Sequence, residues 1–266
     1  MLSISSIKNI SKILCKYITH YLKAKSKQGY GIHSPFIYDF VTKVVAAKTD
    51  NIKEIEDLRN QLKRSRRNIK ISEIGAGSVM TNSTIRSVQS IVKNSTQKKV
   101  NKLLYRMALF TKPDYIVELG TSVGFSSMYM AKSGCGKIYT IEGDPQIAVI
   151  AKQNFKKLNY TNVISIHKTF EQALPEIVSD WHGKGMFFID GNHTYQATIN
   201  YFNYVIKHLP DDGVLIFDDI YWSKGMTAAW KKIINSSLVP LSVDLFHVGV
   251  VFVKKNVYKQ HYLIRF

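Results

Sequence analysis

The sequence predicts an α/β fold with a mostly parallel seven-stranded sheet, a closing antiparallel hairpin and a helical N-terminal extension. From residue 114 onward, short β-branched runs alternate with amphipathic helical segments. Near the C-terminus, two strand-like runs at 238–246 and 248–254 follow each other almost directly. Repeated strand–helix units indicate a parallel sheet covered on both faces, whereas the short final connection requires antiparallel pairing.

The part of the chain before residue 96 is predicted to be mostly helical. Apolar residues in 4–24 recur every three or four positions, which is typical of an amphipathic helix. We expect this stripe to pack against the body of the protein, or alternatively to lie on a membrane surface. Further helices are predicted at 37–48, 51–68, 82–94 and 96–111. We therefore divide the chain into a basic helical cap, 1–95, and a second domain, 96–266.

The second domain is predicted to contain five strand–helix units before the hairpin. The strands are expected at 115–119, 137–141, 162–166, 185–189 and 213–217. The helices that follow them are expected at 124–132, 145–158, 170–179, 194–209 and 223–235. The apolar fraction of 45% is enough to bury a core, which argues against a globally disordered chain.

The net charge of +18 is concentrated in the front part of the chain. Residues 1–112 hold 22 basic and 6 acidic residues, whereas residues 113–266 hold 15 and 13. Such a basic region is typical of contact with nucleic acid, an anionic membrane surface or an acidic substrate, and also of a soluble basic exterior. The charge is therefore informative about the binding partners of the cap, and less so about the chemistry of the second domain.

The chain is expected to reside in the cytoplasm. Its two cysteines, Cys15 and Cys135, are too few for a disulfide framework, which favours a reducing compartment. No apolar run is long enough for a transmembrane helix. Lysines interrupt the apolar start of the chain, so the segment is a poor signal peptide.

Two strand ends predict a nucleoside ligand. The first strand of the second domain runs into a turn with Gly120 and Gly124, where backbone N–H groups can approach a ligand closely. Glu142 ends the next strand, and an acid there can accept hydrogen bonds from two ribose hydroxyls. These features alone leave open a dinucleotide or S-adenosylmethionine.

Later features extend this series. The fourth strand ends in Asp190-Gly-Asn-His193-Thr-Tyr195, and the fifth ends in Asp218-Asp219. With the glycine turn, Glu142 and the closing hairpin, this order resembles class I S-adenosylmethionine-dependent methyltransferases, which have a Rossmann-like fold. Within that class, residues 96–254 look most like the O-methyltransferases related to catechol O-methyltransferase.

The resemblance implies a set of cofactor-binding residues. The glycine turn would lie against the methionine part of S-adenosylmethionine, Glu142 would hold the ribose, and the residues after the third strand would flank the adenine. These positions are Glu118, Gly120, Thr121, Ser122, Gly124, Glu142, Thr169, Phe170, Glu171 and Asp190.

The resemblance also implies a divalent metal, held by Asp190, Asp218 and Asp219. Oxygen ligands favour Mg²⁺, with Ca²⁺ as the alternative. Family members often have Asn where this chain has Asp219. His193 stands where the catechol enzymes carry a lysine base, so we expect Asp190 and His193 to be catalytic. A histidine there could instead cap the following helix.

The expected acceptor is a small hydroxylated molecule, and the basic cap suggests that it is anionic. Tyr30, His33 and the turn at 75–78 are candidate acceptor contacts in the cap, as is the region 78–82. Tyr221 and Trp222 could wall the same pocket, or simply belong to the core. An RNA methyltransferase and a binding protein that retains only the cofactor are the alternative functions.

Overall fold

The computed structural model describes residues 4–49, 52–71, 85–178, 181 and 183–266. The helices are α1 (Ile4–Lys23), α2 (Pro35–Phe40) with a π-helical turn Val41–Val45, α3 (Lys53–Lys63), α4 (Val88–Asn94), α5 (Lys98–Thr111), α6 (Phe125–Ala131), α7 (Pro145–Lys157), α8 (Phe170–Val178), α9 (Tyr195–His208) and α10 (Lys224–Asn235). The strands are β1 (Asn68–Lys70), β2 (Ile85–Ser87), β3 (Tyr115–Leu119), β4 (Lys137–Glu142), β5 (Val163–His167), β6 (Gly185–Ile189), β7 (Val214–Asp218), β8 (Leu241–Asp244), β9 (Val248–Phe252) and β10 (Gln260–Leu263).

The central sheet has the strand order β10-β8-β9-β7-β6-β3-β4-β5 in the described part of the chain. Strands β3 to β7 pair in parallel, and β9 is antiparallel to both β7 and β8. The predicted α/β fold with its closing hairpin is confirmed. The sheet also gains β10, an eighth strand parallel to β8, which the sequence analysis missed. Its residues Gln-His-Tyr-Leu include no β-branched residue, so the propensity signal is weak.

The register of the central strands brings the functional loops together. Every residue of β3, β6 and β7 is buried, as expected for a sheet with helices on both faces. Leu119 at the end of β3 pairs with Ile141 of β4 on one side and with Ile189 of β6 on the other. The three strands therefore end at the same level, and the loops that follow them lie side by side.

The front helices share a core with the sheet. Phe40 and Val44 are fully buried and belong to the same hydrophobic cluster as Leu103 of α5 and Ile216 of β7. The domain boundary after residue 95 stays a prediction.

Two of the predicted front helices are shorter in the structure. The helix expected at 51–68 ends at Lys63, and the one expected at 82–94 begins only at Val88. The described residues between these two helices include β1 and β2, which pair with each other antiparallel. Cross-strand pairing, which a local pattern does not report, overrides the helical periodicity there.

Helix α1 contacts the body of the protein through one side. His20 is buried, and its Nε2 lies 3.0 Å from Asp244 Oδ1. Leu14 and Ile18, which belong to the stripe expected to pack inward, are 55% and 50% exposed. The packing interpretation of the stripe is therefore wrong for these two residues. Among the described residues, no helix combines the length and apolarity needed to cross a membrane.

Candidate functional site

A cavity of about 390 Å³ opens at the carboxyl ends of the central strands. Eight of the predicted site residues line it: Gly120, Ser122, Glu142, Thr169, Phe170, Glu171, Asp190 and His193. The remaining predicted residues do not line it: Glu118, Thr121, Gly124, Asp218 and Asp219. The cavity therefore gathers residues from four separate strand ends, as the parallel topology requires.

The turn after β3 is built for glycine. Gly120 has a φ of +107°, and a Cβ placed on it would lie 2.1 Å from the backbone oxygen of Asp190. Gly124 has a φ of +87°, and its Cβ would lie 2.5 Å from the ring of Phe155. Both positions combine a backbone conformation that L-residues avoid with space for a hydrogen atom only. The turn can therefore approach β6 and α7 more closely than any other residue type would permit.

Glu142 is held rigidly at the wall of the cavity. The backbone N–H of Ser122 donates to its Oε2 (2.8 Å), and that of Asp144 donates to its Oε1 (3.0 Å). Burial raises the pKa of this carboxyl, while the backbone hydrogen bonds oppose the rise. Each carboxylate oxygen has further lone pairs, so the group can still accept hydrogen bonds from a ligand.

Glu118 lies beneath the glycine turn and is completely buried. Thr140 Oγ1 donates to its Oε2 (2.6 Å), and Ser127 Oγ contacts the same oxygen. Its Oε1 has no hydrogen-bond partner within the described residues. Burial raises the pKa of this carboxyl to about 7. A buried charged atom without a partner is costly, and Glu118 does not line the cavity, so the raised pKa reflects the preference of this site for the protonated carboxyl.

The region predicted to flank an adenine forms one side of the cavity. The ring of Phe170 lies edge-on to that of Tyr201, with centroids 5.6 Å apart. Tyr201 Oη donates to Glu171 Oε1 (2.9 Å). The other side of the Phe170 ring is so close to Gly191 that a Cβ there would lie 2.7 Å from it. Phe170 is thus fixed in place by its neighbours and presents an aromatic surface to the cavity.

Asp190 joins the second domain to the segment before α5. Thr96 Oγ1 donates to its Oδ2 (2.7 Å), whereas its Oδ1 lies 3.5 Å from His193 Nε2. Burial on its own lowers the pKa of His193, but the carboxylates of Asp190 and Asp219 outweigh it, and the pKa is raised. His193 is 28% exposed, so its imidazole remains accessible from the cavity.

The acids expected to hold a metal include two carboxyl groups whose pKa values are raised by burial. Asp218 is buried at the end of β7, and burial, together with the charges of Asp190 and Asp219, raises its pKa well above its ordinary value. Burial also raises the pKa of Asp219. In the part of the chain that the structure describes, no three His, Cys, Asp or Glu side chains are grouped as metal binding requires. The carboxyl groups of Asp190 and Asp218 nevertheless lie within hydrogen-bonding reach of each other, so the metal site stays a prediction, and we derive no step through the expected ion.

The cavity also contains residues that the sequence analysis missed. The segment before α5 contributes Arg86, Asn94, Ser95 and Thr96, and the second domain adds Lys168, Asn192 and Tyr201. Arg86 to Thr96 precede the recognisable motif series, so only packing shows that they reach the site. Lys168 and Asn192 adjoin predicted residues, and this adjacency is the signal that could have identified them.

The candidate acceptor contacts lie elsewhere or outside the described residues. Tyr30 and His33 are exposed and do not line the cavity, and neither does Tyr221 or Trp222. Tyr221 Oη donates to Asp244 Oδ2 (2.6 Å), whereas Trp222 is 58% exposed. The turn at 75–78 and the region 78–82 lie outside the described residues.

Fold and site together define a class of protein. A parallel sheet with a glycine turn after one strand, an acid at the end of its neighbour and a cavity across both is the arrangement in which Rossmann-like folds bind nucleoside cofactors at the carboxyl ends of the strands. The closing hairpin is the one expected from the resemblance to Rossmann-like methyltransferases.

Comparison with known proteins finds similarity to methyltransferases over part of the chain. Residues 117–220 match the family model described as a methyltransferase domain. A catechol O-methyltransferase of Niastella koreensis is 30% identical over 130 residues, which cover 47% of this chain and 57% of that protein. An uncharacterized protein of Acanthamoeba polyphaga mimivirus is 33% identical over 138 residues, covering 47% of this chain and 62% of that protein. The chain thus matches about three fifths of the length of these relatives.

Solved structures agree with this fold. The O-methyltransferase of Bacillus cereus, determined in complex with SAH, superposes with a TM-score of 0.56 at 17% identity, over 82% of this chain and 97% of that one. The SAH-bound Podospora anserina methyltransferase PaMTH1 gives 0.59 at 14% identity, over 85% and 100%. Part of this chain, residues 117–220, is thus similar in sequence to methyltransferases, and its fold is similar to that of the O-methyltransferase structures.

Proposed function

We propose that the protein is an S-adenosylmethionine-dependent methyltransferase that transfers a methyl group to a hydroxyl of a small acceptor. The observation that carries the proposal is the placement of Glu142 beside the glycine turn in one cavity that also contains Asp190 and His193. The named relatives support it, because a catechol O-methyltransferase and an O-methyltransferase are among them.

The residues present are suited to this cofactor. Glu142 would accept hydrogen bonds from the ribose hydroxyls, and the face of Phe170 would stack on the adenine. The glycine turn would lie against the methionine part of the cofactor. A Cβ at Gly120 would clash with the backbone of Asp190 and so displace the turn from this position. When bound, S-adenosylmethionine supplies an electrophilic methyl group on a sulfonium.

We assign the acid–base step to His193. Its imidazole faces the cavity, and Asp190 lies 3.5 Å from Nε2, where a carboxylate stabilises the imidazolium. In this scheme the acceptor hydroxyl gives its proton to His193 while its oxygen bonds to the methyl carbon. The bond from that carbon to sulfur breaks, and the electron pair stays on sulfur. Alignment of oxygen, carbon and sulfur accounts for much of the rate.

Metal assistance is a separate hypothesis. The resemblance suggests Mg²⁺ or Ca²⁺ at Asp190, Asp218 and Asp219, and oxygen ligands would suit either ion. If activity survives a chelator and is unchanged by added Mg²⁺, the metal hypothesis is rejected and the proposed methyltransferase function still stands. Activity lost with chelator and restored by Mg²⁺ would support it.

Cofactor binding is the first test of the proposed function. Isothermal titration with S-adenosylmethionine and with its demethylated product should show saturable binding to the full chain. Glu142→Ala should weaken binding at least about tenfold, because two ligand hydrogen bonds are lost. Asp211→Asn, an exposed carboxylate outside the cavity, serves as the control and should bind normally. Absence of binding at millimolar ligand, or equal binding by Glu142→Ala, would contradict the proposal.

The acceptor class is tested with labelled cofactor. Transfer of the methyl label to catechol-type hydroxyls is the expected result. If the methyl label appears in RNA and not in the small-molecule fraction, the result would favour the alternative RNA methyltransferase. Saturable cofactor binding with no transfer to any acceptor would favour the non-catalytic alternative.

A further inference from the structure

Helix α1 carries an apolar stripe that points away from the body of the protein. Leu14, Ile18 and Leu22 follow one another at intervals of four residues, which places them on one face of the helix. Their exposed fractions are 55%, 50% and 74%. Three large aliphatic side chains exposed in one row are an unusual surface, and such a surface marks an interaction site when it is contiguous.

In the second half of α1, residues of the opposite face contact the body of the protein. Lys16 Nζ donates to Thr227 Oγ1 (2.8 Å) and lies 5.7 Å from the ring centroid of Tyr221. The ring of Tyr17 packs edge-on against Phe246, and His20 pairs with Asp244. These contacts orient the helix, so the outward direction of the aliphatic row is set by specific interactions on the inner side.

The segment that contains this row has basic residues and no acidic ones. The first 38 residues contain six lysines and no acidic residue, since the first acid of the chain is Asp39. Lys23 and Lys27, at the C-terminal end of α1 and just beyond it, are exposed. An aliphatic row with exposed lysines near its C-terminal end, on a helix too polar to span a bilayer, is complementary to an anionic membrane surface.

The same charge distribution disfavours the other occupants of this face. A second copy of the chain, docked α1 to α1, would bring two lysine-rich segments together at a net cost. A nucleic acid would engage the lysines but leave the aliphatic row in water.

We propose that α1 docks the protein on anionic phospholipid membranes, with Leu14, Ile18 and Leu22 inserted among the headgroups and acyl chains and the flanking lysines near the lipid charges. Because α1 contacts Asp244 and Tyr221 at the carboxyl ends of β8 and β7, the docking face lies at the same edge of the sheet as the candidate site. An acceptor that partitions to the membrane would therefore be presented to the edge of the sheet that carries the site.

Co-sedimentation of the full chain with vesicles tests the proposal. The probes are vesicles of phosphatidylcholine with about 30% phosphatidylserine, and vesicles of phosphatidylcholine alone. We expect binding to the anionic vesicles that weakens with salt, and much weaker binding to the neutral ones. The triple variant Leu14→Gln, Ile18→Gln, Leu22→Gln should bind at least about tenfold more weakly, since Gln retains helix propensity but removes apolar area.

Matched variants separate the contribution of the aliphatic row from that of the lysines. Leu238→Gln alters another aliphatic side chain, 51% exposed but outside α1, and should bind vesicles like the unmodified chain. Lys23→Glu with Lys27→Glu should weaken binding to anionic vesicles roughly tenfold or more. The pair Lys152→Glu and Lys156→Glu, exposed on α7, makes the same charge change elsewhere and should weaken it less. Circular dichroism and titration with the demethylated cofactor confirm that each variant folds.

Several outcomes would overturn the proposal. Equal binding by the triple variant and the unmodified chain would show that the aliphatic row does not insert. Equal binding to neutral and anionic vesicles would show that the lysines do not contribute to docking, which contradicts the proposed preference for anionic membranes. Absence of vesicle binding, together with a dimer in analytical ultracentrifugation that the triple variant abolishes, would assign the face to a second copy. Because cofactor titration is read independently, failure of membrane docking would leave the proposed methyltransferase function standing.

Discussion

Asp190 is the residue on which the candidate site converges. One of its carboxylate oxygens accepts a hydrogen bond from Thr96, and the other faces His193. Its backbone oxygen lies against Gly120, where no Cβ fits. A single residue thus sets the position of the proposed base, the glycine turn and the segment before α5, which explains why these elements meet at one cavity.

Replacing His193 tests the proposed base. His193→Gln keeps a polar side chain but cannot accept the acceptor proton, so kcat should fall by about 10²- to 10⁴-fold. Cofactor affinity should change little, because Glu142 and the glycine turn remain. Steady-state kinetics and isothermal titration measure both quantities, and His208→Gln, an exposed histidine of α9, is the matched control. A variant with unchanged kcat would assign His193 to capping or packing only.

Glu118 makes stability depend on pH. Its pKa is about 7 in the folded protein against an ordinary value of 4.5, so the protonated form is favoured by folding. This contribution is fully present below the unfolded pKa and is lost as pH rises through about 7, with an upper bound of roughly 3 kcal/mol. In Glu118→Gln, the free energy of unfolding should therefore decline less between pH 5 and pH 8 than in the unmodified chain. Denaturant unfolding at several pH values measures it, and identical slopes would refute it.

At the level of elements, the turn between β3 and α6 depends on glycine for two separable reasons. Gly120 has both a positive φ and a close backbone neighbour, whereas Gly134 has a φ of +72° and no atom within 4 Å of an added Cβ. The pair therefore distinguishes backbone strain from steric exclusion within one protein.

Gly120→Ala should weaken binding of the demethylated cofactor at least about tenfold, because the turn must move away from the backbone of Asp190. Gly134→Ala imposes the strain alone, costing about 1 kcal/mol, and should bind normally. Isothermal titration and thermal unfolding compare the two variants. If both variants lost binding equally, general destabilisation rather than the geometry of the turn would be responsible.

At the level of the whole molecule, the front helices and the sheet form a continuous core. Phe40 of α2 lies edge-on to Phe252 of β9, with centroids 5.2 Å apart, and also packs near Phe110 of α5. A core shared in this way couples the unfolding of the front part to that of the sheet, even though the two parts differ in charge.

Phe40→Ala tests this coupling. Loss of a fully buried ring should reduce the free energy of unfolding by about 3–5 kcal/mol and lower one cooperative transition. Tyr38→Ala, on the same helix but 47% exposed, should cost much less. Two resolved transitions, with only one shifted by Phe40→Ala, would instead support a cap that folds separately, as the predicted boundary after residue 95 implies.

Local sequence patterns were enough to predict the α/β fold, the closing hairpin, the glycine turn and Glu142 at the end of the second strand of the domain. These features are readable because periodicity and adjacency in the chain encode them locally. Residues such as Thr96 and Tyr201 carry no such local signal, since their place in the site depends on packing between distant segments.

Which faces are buried and which side chains converge became visible only in the folded chain. The aliphatic row of α1 has the same periodicity whether it packs inward or faces solvent, and the contacts of His20 and Lys16 turn it outward. Likewise, Asp190 and Asp218 occupy expected strand ends, but only the folded structure shows that their carboxyl groups lie within hydrogen-bonding reach of each other. Strand-end position is a local property, whereas side-chain convergence depends on long-range packing and rotamers.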